Sequence, residues 1–141
     1  MNSYIAGLIA LLFITCSSAQ AQFFSSEDTV KDVTTGVTWL RCSVGQVWDP
    51  SVETCTGKIV KLNHEEIAIA LTQAKEQLGG DWRLPSRKEL MSLVCDDCAS
   101  PKINTKYFPN LSSEAYWTGD KNWMNPRTYW TVNFMTGHTY N

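Results

Sequence analysis

Four of the five cysteines are the residues whose type and spacing most directly suggest chemistry. Cys95 and Cys98 form a C-x-x-C pair, and Cys42 and Cys55 bracket a short segment nearer the N-terminus. A C-x-x-C pair can act as a redox dithiol, bind a metal or form a structural disulfide. Redox pairs place the attacking cysteine at a helix N-terminus, whereas this pair follows a predicted helix and encloses two aspartates that disfavour a thiolate. We therefore expect structural disulfides, and among the possible pairings we favour the local pairs Cys42–Cys55 and Cys95–Cys98.

The segment 119–127, GDKNWMNPR, is a predicted polar loop. Together with the outward face of the strand that follows, it is the best candidate for a ligand-binding surface. Aromatic faces stack on sugar rings, asparagine offers hydrogen bonds, and arginine pairs with sulfate or carboxylate groups. In the alternative, Trp123 fills the domain's own loop and contacts no ligand. The candidate ligand-binding residues are Lys121, Trp123, Asn125, Arg127, Tyr129, Thr131 and Asn133.

The sequence shows no pattern typical of catalysis. It contains no Gly-x-Ser-x-Gly, no phosphate-binding loop and no nucleophile–histidine pattern. His64 precedes Glu65 and Glu66, but no second histidine shares its helix face. We interpret these three residues as a solvated helix start, where the helix dipole favours acidic side chains. We predict a non-enzymatic protein with no catalytic residues, no metal and no cofactor.

The N-terminal residues 1–21 have the features of a secretory signal peptide. The apolar run Ile5–Ile14 is shorter than the about 20 residues that a bilayer span requires. The tripeptide Ala19-Gln20-Ala21 is a small-x-small cleavage pattern. We predict cleavage after Ala21, which removes Cys16 and leaves an even number of cysteines. The alternatives are an uncleaved N-terminal anchor and a lipoprotein modified at Cys16.

Residues 22–141 then form the mature protein, and their length suits one domain. The net charge of the chain is −2, and its bases form no dense stripe, which argues against nucleic acid as a partner. We expect no stable membrane span after signal cleavage. The predicted location is secreted, periplasmic or on the cell surface of a bacterium. The sequence does not define the oligomeric state.

The first half of the mature chain combines short strands with one clear helix. Thr29–Val33 and Val37–Arg41 are predicted strands of a hairpin, and Ser43–Thr54 is a predicted loop. A helix begins after Asn63, which with Glu66 forms a capping-box pattern. The helix ends at Gly79-Gly80. Its predicted apolar stripe consists of Ile67, Leu71, Ala74 and Leu78.

The segment Gly79–Leu90, GGDWRLPSRKEL, has features of a scaffold. A proline disfavours helix in the residue before it, so residues 82–84, which precede Pro85, are predicted to be extended. The side chains of Trp82 and Leu84 are predicted to enter the core. Arg83 is predicted to be a partly buried hydrogen-bonding strut. A Ser-x-x-Glu capping box starts a second helix at about Arg87 to Val94. The residues with predicted structural roles are Trp82, Arg83, Leu84, Pro85, Ser86 and Glu89.

The last part of the chain contains predicted strands separated by loops. Ala115–Thr118 and His138–Tyr140 are short strands. Thr128–Phe134 alternates, with Trp130, Val132 and Phe134 on one face and Tyr129, Thr131 and Asn133 exposed on the other. The order of strands, two helices and strands predicts an α+β domain with segregated helices.

Five segments in this order resemble the C-terminal domain family of the Legionella collagen-like adhesin, also known as domain of unknown function 1566. They are TTGVTWLRCSVGQVWDPSVETCTG, DWRLPSRKELMSLV, PKINTKYFPN, YWTG and YWTVNFMTG. The resemblance implies a C-type-lectin-like fold with two helices, a small mixed or antiparallel sheet and long loops. The adhesin that gives the family its name binds sulfated glycans.

The chain departs from that family pattern. It has no collagen stalk, and it ends soon after NFMTG, where relatives continue into another strand. We therefore expect that the C-terminal strand is missing and that the chain is a truncated copy. Cys95 and Cys98 stand where many relatives have a single cysteine, and a local pair would replace the bridge to a C-terminal partner. The Glu-Pro-Asn, Gln-Pro-Asp and Trp-Asn-Asp elements of calcium-binding lectins are absent, so Asp120, Asn122 and Asn125 are not predicted to bind calcium.

These observations predict a secreted or surface binding domain that recognises glycan, with sulfated polysaccharide as one candidate, in adhesion. Its partners would be a glycan or a surface protein. The first alternative is a structural or protein-interaction module of the bacterial envelope or pilus that does not bind sugar. The second alternative is an enzyme-accessory or peptide-binding role.

Overall fold

The N-terminal part of the domain is a three-stranded antiparallel meander. The structure is a computed structural model that describes residues 22–141, so the predicted signal peptide lies outside the described residues. Strands β1 (Phe23–Ser26), β2 (Thr29–Asp32) and β3 (Thr38–Leu40) pair in the order β1-β2-β3. The turn before β3 contains Gly36 at φ +74°, a left-handed conformation that glycine adopts without strain. The predicted hairpin is confirmed, with shorter strands.

A second hairpin follows where we predicted a loop between residues 43 and 54. Strands β4 (Gln46–Asp49) and β5 (Thr54–Gly57) pair antiparallel, so that prediction is wrong. The turn-forming residues lie at the ends of the hairpin, where Asp49 accepts hydrogen bonds from the Ser51 amide at 2.9 Å and hydroxyl at 2.6 Å. The sequence did not indicate these strands, because each has only four residues and turn-forming residues lie close to both.

Helix α1 (His64–Leu78) begins and ends as predicted. The Asn63 side chain accepts from the amides of Glu65 and Glu66 at 3.0 and 2.9 Å, and the Glu66 carboxylate accepts from the Asn63 amide at 2.8 Å. The predicted apolar stripe is only partly buried. Ile67 is buried, but Leu78 at the other end of the stripe is 49% exposed. All four residues of the last turn of α1, 75–78, are exposed.

Helix α2 (Arg87–Met91) is shorter than predicted, because the chain leaves helical geometry before Val94. Leu90 and Leu93 are buried, whereas Val94 is half-buried and forms an isolated antiparallel bridge with Ile103. The bridge draws the backbone into extended geometry, which ends the helix early. The irregular segment that follows Cys98 is thereby anchored to the end of α2.

The C-terminal part is a second antiparallel meander. Strands β6 (Tyr116–Lys121), β7 (Tyr129–Asn133) and β8 (His138–Tyr140) pair in the order β6-β7-β8. Strand β6 extends beyond the predicted Thr118 and contains an irregularity between Trp117 and Lys121. The connecting loop between β6 and β7 is therefore Asn122–Thr128, shorter than predicted.

One apolar cluster joins the two meanders and α2 into an α+β domain, as predicted. Phe134 and Val132 come from the C-terminal sheet region, and Val30 comes from the N-terminal sheet. Val30 and Val132 are both fully buried. The buried members of the cluster are Val30, Leu90, Leu93, Ile103, Phe108, Val132 and Phe134. This core places the β6–β7 loop at the edge of the domain.

Arg41 is a structural residue that no sequence pattern predicted. Its side chain is buried, and its guanidinium donates to the backbone carbonyls of Glu27, Lys106 and Tyr107 at 3.0, 3.0 and 3.1 Å. The guanidinium also lies 3.5 Å from the Trp48 ring centroid, a favourable cation–π position. Arg41 thus ties the N-terminal sheet to the irregular segment near residue 107.

Candidate functional site

The β6–β7 loop, Asn122–Thr128, is held in shape by its own hydrogen bonds. The Asn122 amide donates to the Thr128 carbonyl at 2.9 Å, and the Asn122 side chain accepts from the Met124 amide at 2.9 Å. The Asn125 carbonyl accepts from the Thr128 amide and hydroxyl at 2.9 and 3.0 Å. The loop therefore presents its outer side chains from a braced backbone. Such bracing reduces the ordering cost of binding.

Trp123 projects outward from this loop. Its side chain is 84% exposed, and the adjacent Met124 is 75% exposed. The alternative in which Trp123 fills the domain's own loop is therefore wrong. An indole that gains so little from internal packing leaves its apolar face available to another molecule.

Basic side chains surround the loop. Lys121 and Arg127 are exposed at its two ends, and Arg87 lies close by, with its guanidinium 4.4 Å from the Trp130 ring centroid. The only acidic residue in 119–133 is Asp120, whose carboxylate accepts from the Arg87 amide at 2.7 Å. The surface beside Trp123 therefore carries an excess of positive charge. This site is called the Trp123 surface below and consists of Arg87, Lys121, Trp123, Met124, Asn125 and Arg127.

Three further predicted ligand contacts, Tyr129, Thr131 and Asn133, are half-buried. Their predicted exposure is wrong. The Thr131 hydroxyl donates to the Tyr140 carbonyl at 3.2 Å, and the Asn133 amide donates to the Ser113 carbonyl at 3.1 Å. These two side chains brace the C-terminal sheet, because neighbouring strands and loops cover the face of β7 that alternation alone predicted to be open.

Tyr129 is covered by His64 from the first turn of α1. The two rings stack with centroids 3.4 Å apart, and the Trp117 ring lies edge-on, 5.2 Å from the His64 ring. The Trp117 indole donates to the Leu62 carbonyl at 2.8 Å. The interpretation of His64 as a solvated residue is therefore wrong. No local signal could have revealed it, since its partners lie far along the chain.

The segment Trp82–Glu89 connects α1 to α2 and differs in part from the prediction. Trp82 and Leu84 are half-buried and lie outside the main core cluster. Arg83 is exposed, so its predicted partial burial is wrong, but it makes the expected hydrogen bonds, to Glu89 and to the Leu84 carbonyl. The Pro85 carbonyl accepts from the Gly119 amide at 2.9 Å. The segment thus contacts β6, next to the Trp123 surface.

The Glu89 carboxylate completes the cap of α2. The Ser86 hydroxyl accepts from the Glu89 amide at 3.1 Å, and the Glu89 side chain accepts from the Ser86 amide at 2.8 Å. The hydrogen bonds from the Arg83 guanidinium, with that from the Ser86 amide, lower the pKa of Glu89 from its ordinary 4.5 to about 2. This carboxylate stays ionised and engaged inside the domain, which supports a structural role.

Both local disulfides form. Cys42 and Cys55 are joined with a Cα–Cα distance of 5.5 Å, and Cys95 and Cys98 with a distance of 5.3 Å.

The side-chain oxygens of Asp120, Asn122 and Asn125 accept hydrogen bonds from backbone amides within the protein. Among residues 22–141, no group of three or more histidine, cysteine, aspartate or glutamate side chains is arranged to hold a metal ion.

None of the helices within residues 22–141 is both long enough and apolar enough to cross a bilayer.

Comparison with known proteins found a match to one family model, the Lcl C-terminal domain, over residues 28–141. No curated protein and no solved structure matches the chain. The matched range includes α1, α2, both disulfides and the Trp123 surface. The chain therefore belongs to the Lcl C-terminal domain family, a family of adhesin-associated domains.

Proposed function

We propose that this protein is an exported, non-enzymatic binding domain that recognises anionic glycans through the Trp123 surface. The observation that carries the proposal is the 84% exposure of Trp123 on a braced loop with an excess of positive charge. If all aromatic side chains were buried, core packing would explain the aromatic residues of the chain without a ligand. An exposed indole between cations provides a surface suited to a sugar ring with a charged substituent.

The contacts that we expect are of two kinds. The Trp123 ring would stack on the apolar face of a sugar. The Arg127 guanidinium and the Lys121 ammonium would pair with sulfate or carboxylate groups, and arginine can form two parallel hydrogen bonds to such groups. Asn125 would contribute side-chain hydrogen bonds. Tyr129, Thr131 and Asn133 would act mainly by holding β7 in place.

Export and a lectin-like fold belong to the same proposal. Two disulfides in a small domain are typical of proteins from oxidising compartments. Short antiparallel sheets, two helices and long loops are compatible with a C-type-lectin-like architecture. We propose a secreted, periplasmic or cell-surface location after removal of residues 1–21.

The test is binding of the purified protein to an array of neutral, carboxylated and sulfated glycans. We expect binding to anionic glycans, which falls about tenfold or more in Trp123→Ala. Arg127→Gln should weaken binding and reduce its salt dependence, because a charged contact is lost. Phe24→Ala is the matched control, since Phe24 is an exposed aromatic side chain on β1, outside the site.

The second candidate function is a protein-interaction module of the cell envelope. Met124 beside Trp123 favours it, because methionine and tryptophan are enriched in protein interfaces. Met124→Ala separates the two functions. The variant should retain glycan binding if the sugar contacts the Trp123 ring. The glycan proposal is rejected if the protein binds no glycan on the array and Trp123→Ala changes no measured interaction.

A further inference from the structure

A cleft lies apart from the Trp123 surface, between the β2–β3 turn and the segment that follows α1. Its volume is about 570 Å³, within the about 300–1,000 Å³ range of small-molecule sites. Trp39 and Trp82 contribute to its wall, with hydroxyl groups from Thr35 and Thr38. None of these residues belongs to the candidate surface described above.

The indole nitrogens of Trp39 and Trp82 distinguish this cleft. Both N–H groups are buried, and neither has a hydrogen-bond acceptor among the described residues. Buried polar groups in folded proteins almost always have a partner. By contrast, the Trp117 indole donates to a backbone carbonyl. Both tryptophans line the same cleft, and their nitrogens lie behind its wall, out of reach of solvent, so a molecule that enters and displaces an indole would supply the acceptor that the described residues lack.

The charges of the cleft indicate what kind of molecule this is. The wall contains Asp81, Arg83 and Glu89. Asp81 pairs with the Lys75 ammonium at 2.8 Å, and Glu89 pairs with Arg83 at 2.7 Å. Each carboxylate is therefore neutralised by a cation, and no cation of the wall is left over to attract an anion. The cleft suits an uncharged ligand.

We infer that this cleft, with Trp39 and Trp82, binds an uncharged sugar ring. The two indoles supply apolar surface for the C–H face of a pyranose and N–H donors for its oxygens, while Thr35 and Thr38 supply hydroxyl groups. Gly80 borders the same cleft, and a Cβ placed there would lie 4.0 Å from the Trp82 nitrogen. Solvent does not reach either nitrogen in the free protein, so ligand entry includes a small shift of the indoles. The inference does not depend on the Trp123 surface.

The test is titration of the ¹⁵N-labelled protein with neutral methyl glycosides of glucose, galactose, mannose and N-acetylglucosamine. At least one glycoside should shift the indole N–H resonances of Trp39 and Trp82 and leave that of Trp123 in place. Glucuronic acid should bind more weakly than glucose. Trp82→Phe keeps an aromatic ring but lacks the donor, and it should bind about fivefold more weakly, the factor for about one net hydrogen bond.

The control for stability is Trp117→Phe, which removes an indole whose hydrogen bond is satisfied. It should lower the melting temperature more than Trp39→Phe and Trp82→Phe do, because only Trp117 loses a satisfied hydrogen bond. The inference is overturned if no neutral glycoside moves either resonance, or if both phenylalanine variants bind as well as the original protein. It is also overturned if those variants lose as much stability as Trp117→Phe. Binding that disappears in Trp123→Ala and persists in Trp82→Phe would assign the sugar to the loop instead.

Discussion

Arg83 and Glu89 face each other across the start of α2 and form a two-point ion pair. One guanidinium nitrogen donates to Glu89 Oε2 at 2.8 Å and the other to Oε1 at 2.7 Å. The same carboxylate accepts the Ser86 amide at 2.8 Å. One side chain thus closes the helix cap and holds the extended segment that follows α1. The pair joins the segment that follows α1 to the start of α2, outside the core cluster.

Acid should weaken the domain partly through Glu89. Its pKa is lowered in the folded protein to about 2 from an ordinary 4.5. The stabilisation is therefore complete above about pH 4.5 and is lost as the pH falls toward about 2. In Glu89→Gln the ion pair is absent at every pH, so this part of the pH dependence should disappear.

Urea unfolding at neutral pH and at about pH 3 measures this effect. At neutral pH, Glu89→Gln should lose about 1 kcal/mol, because glutamine retains a capping-box hydrogen bond and surface ion pairs contribute little. Lys61, whose ammonium contacts the exposed Glu114, offers the control Glu114→Gln. Equal loss of stability in Glu89→Gln at both pH values would contradict the prediction.

Asn63 should control the first turn of α1. The helix has one buried residue, Ile67, so packing contributes little and the cap matters more. We expect Asn63→Ala to lower the free energy of unfolding by about 1 kcal/mol, and Asn63→Asp to preserve it. The amides of Glu65 and Glu66 donate hydrogen bonds to the Asn63 side chain. Hydrogen exchange of these two amides therefore measures the loss of the cap directly. Protection that is unchanged in Asn63→Ala would show that other contacts hold the turn.

Phe134 and Trp82 should differ in their contribution to stability. Phe134 is 2% exposed within the core cluster, whereas Trp82 is half-buried and outside it. We expect Phe134→Ala to cost about 3–5 kcal/mol and Trp82→Ala about 2 kcal/mol. Chemical denaturation of both variants measures the difference. A larger loss in Trp82→Ala would place the indole among the core residues after all.

The two disulfides should also differ. The bond between Cys42 and Cys55 closes a longer loop than the bond between Cys95 and Cys98, with sequence separations of 13 and 3. Loop-closure entropy predicts losses of about 3 kcal/mol and about 2 kcal/mol when each pair is replaced by alanine. Thermal unfolding of the two double variants compares them. The reverse order would mean that native-state contacts, and not chain entropy, dominate.

The local elements of this domain could be predicted because their causes are local. Asn63 with Glu66, and Ser86 with Glu89, stand at the spacing that a capping box requires, and both boxes form. The first glycine after α1 ends it at φ +71° and ψ 179°, a positive-φ conformation that glycine adopts without strain, although it is not the left-handed helical one that we predicted. The disulfides could be predicted because nearby cysteines close short loops at low entropic cost.

Contacts between distant segments could not be predicted in this way. His64 looked solvated because its own neighbours are acidic, yet it stacks on Tyr129. Arg41 looked like a strand-end base, yet it is buried among carbonyls from residues 27, 106 and 107. Alternation predicted an open face for Thr131 and Asn133, but adjacent segments occupy their hydrogen bonds.

The sequence by itself determined the helix caps, the short-range disulfides, the α+β class and the family resemblance, because each depends on residue types a few positions apart or on the order of motifs. Only the tertiary structure decided that Trp123 is exposed, that Trp39 and Trp82 share a cleft, and that Arg83 remains at the surface. Exposure depends on which distant segments cover a side chain. No pattern of neighbouring residues encodes that coverage.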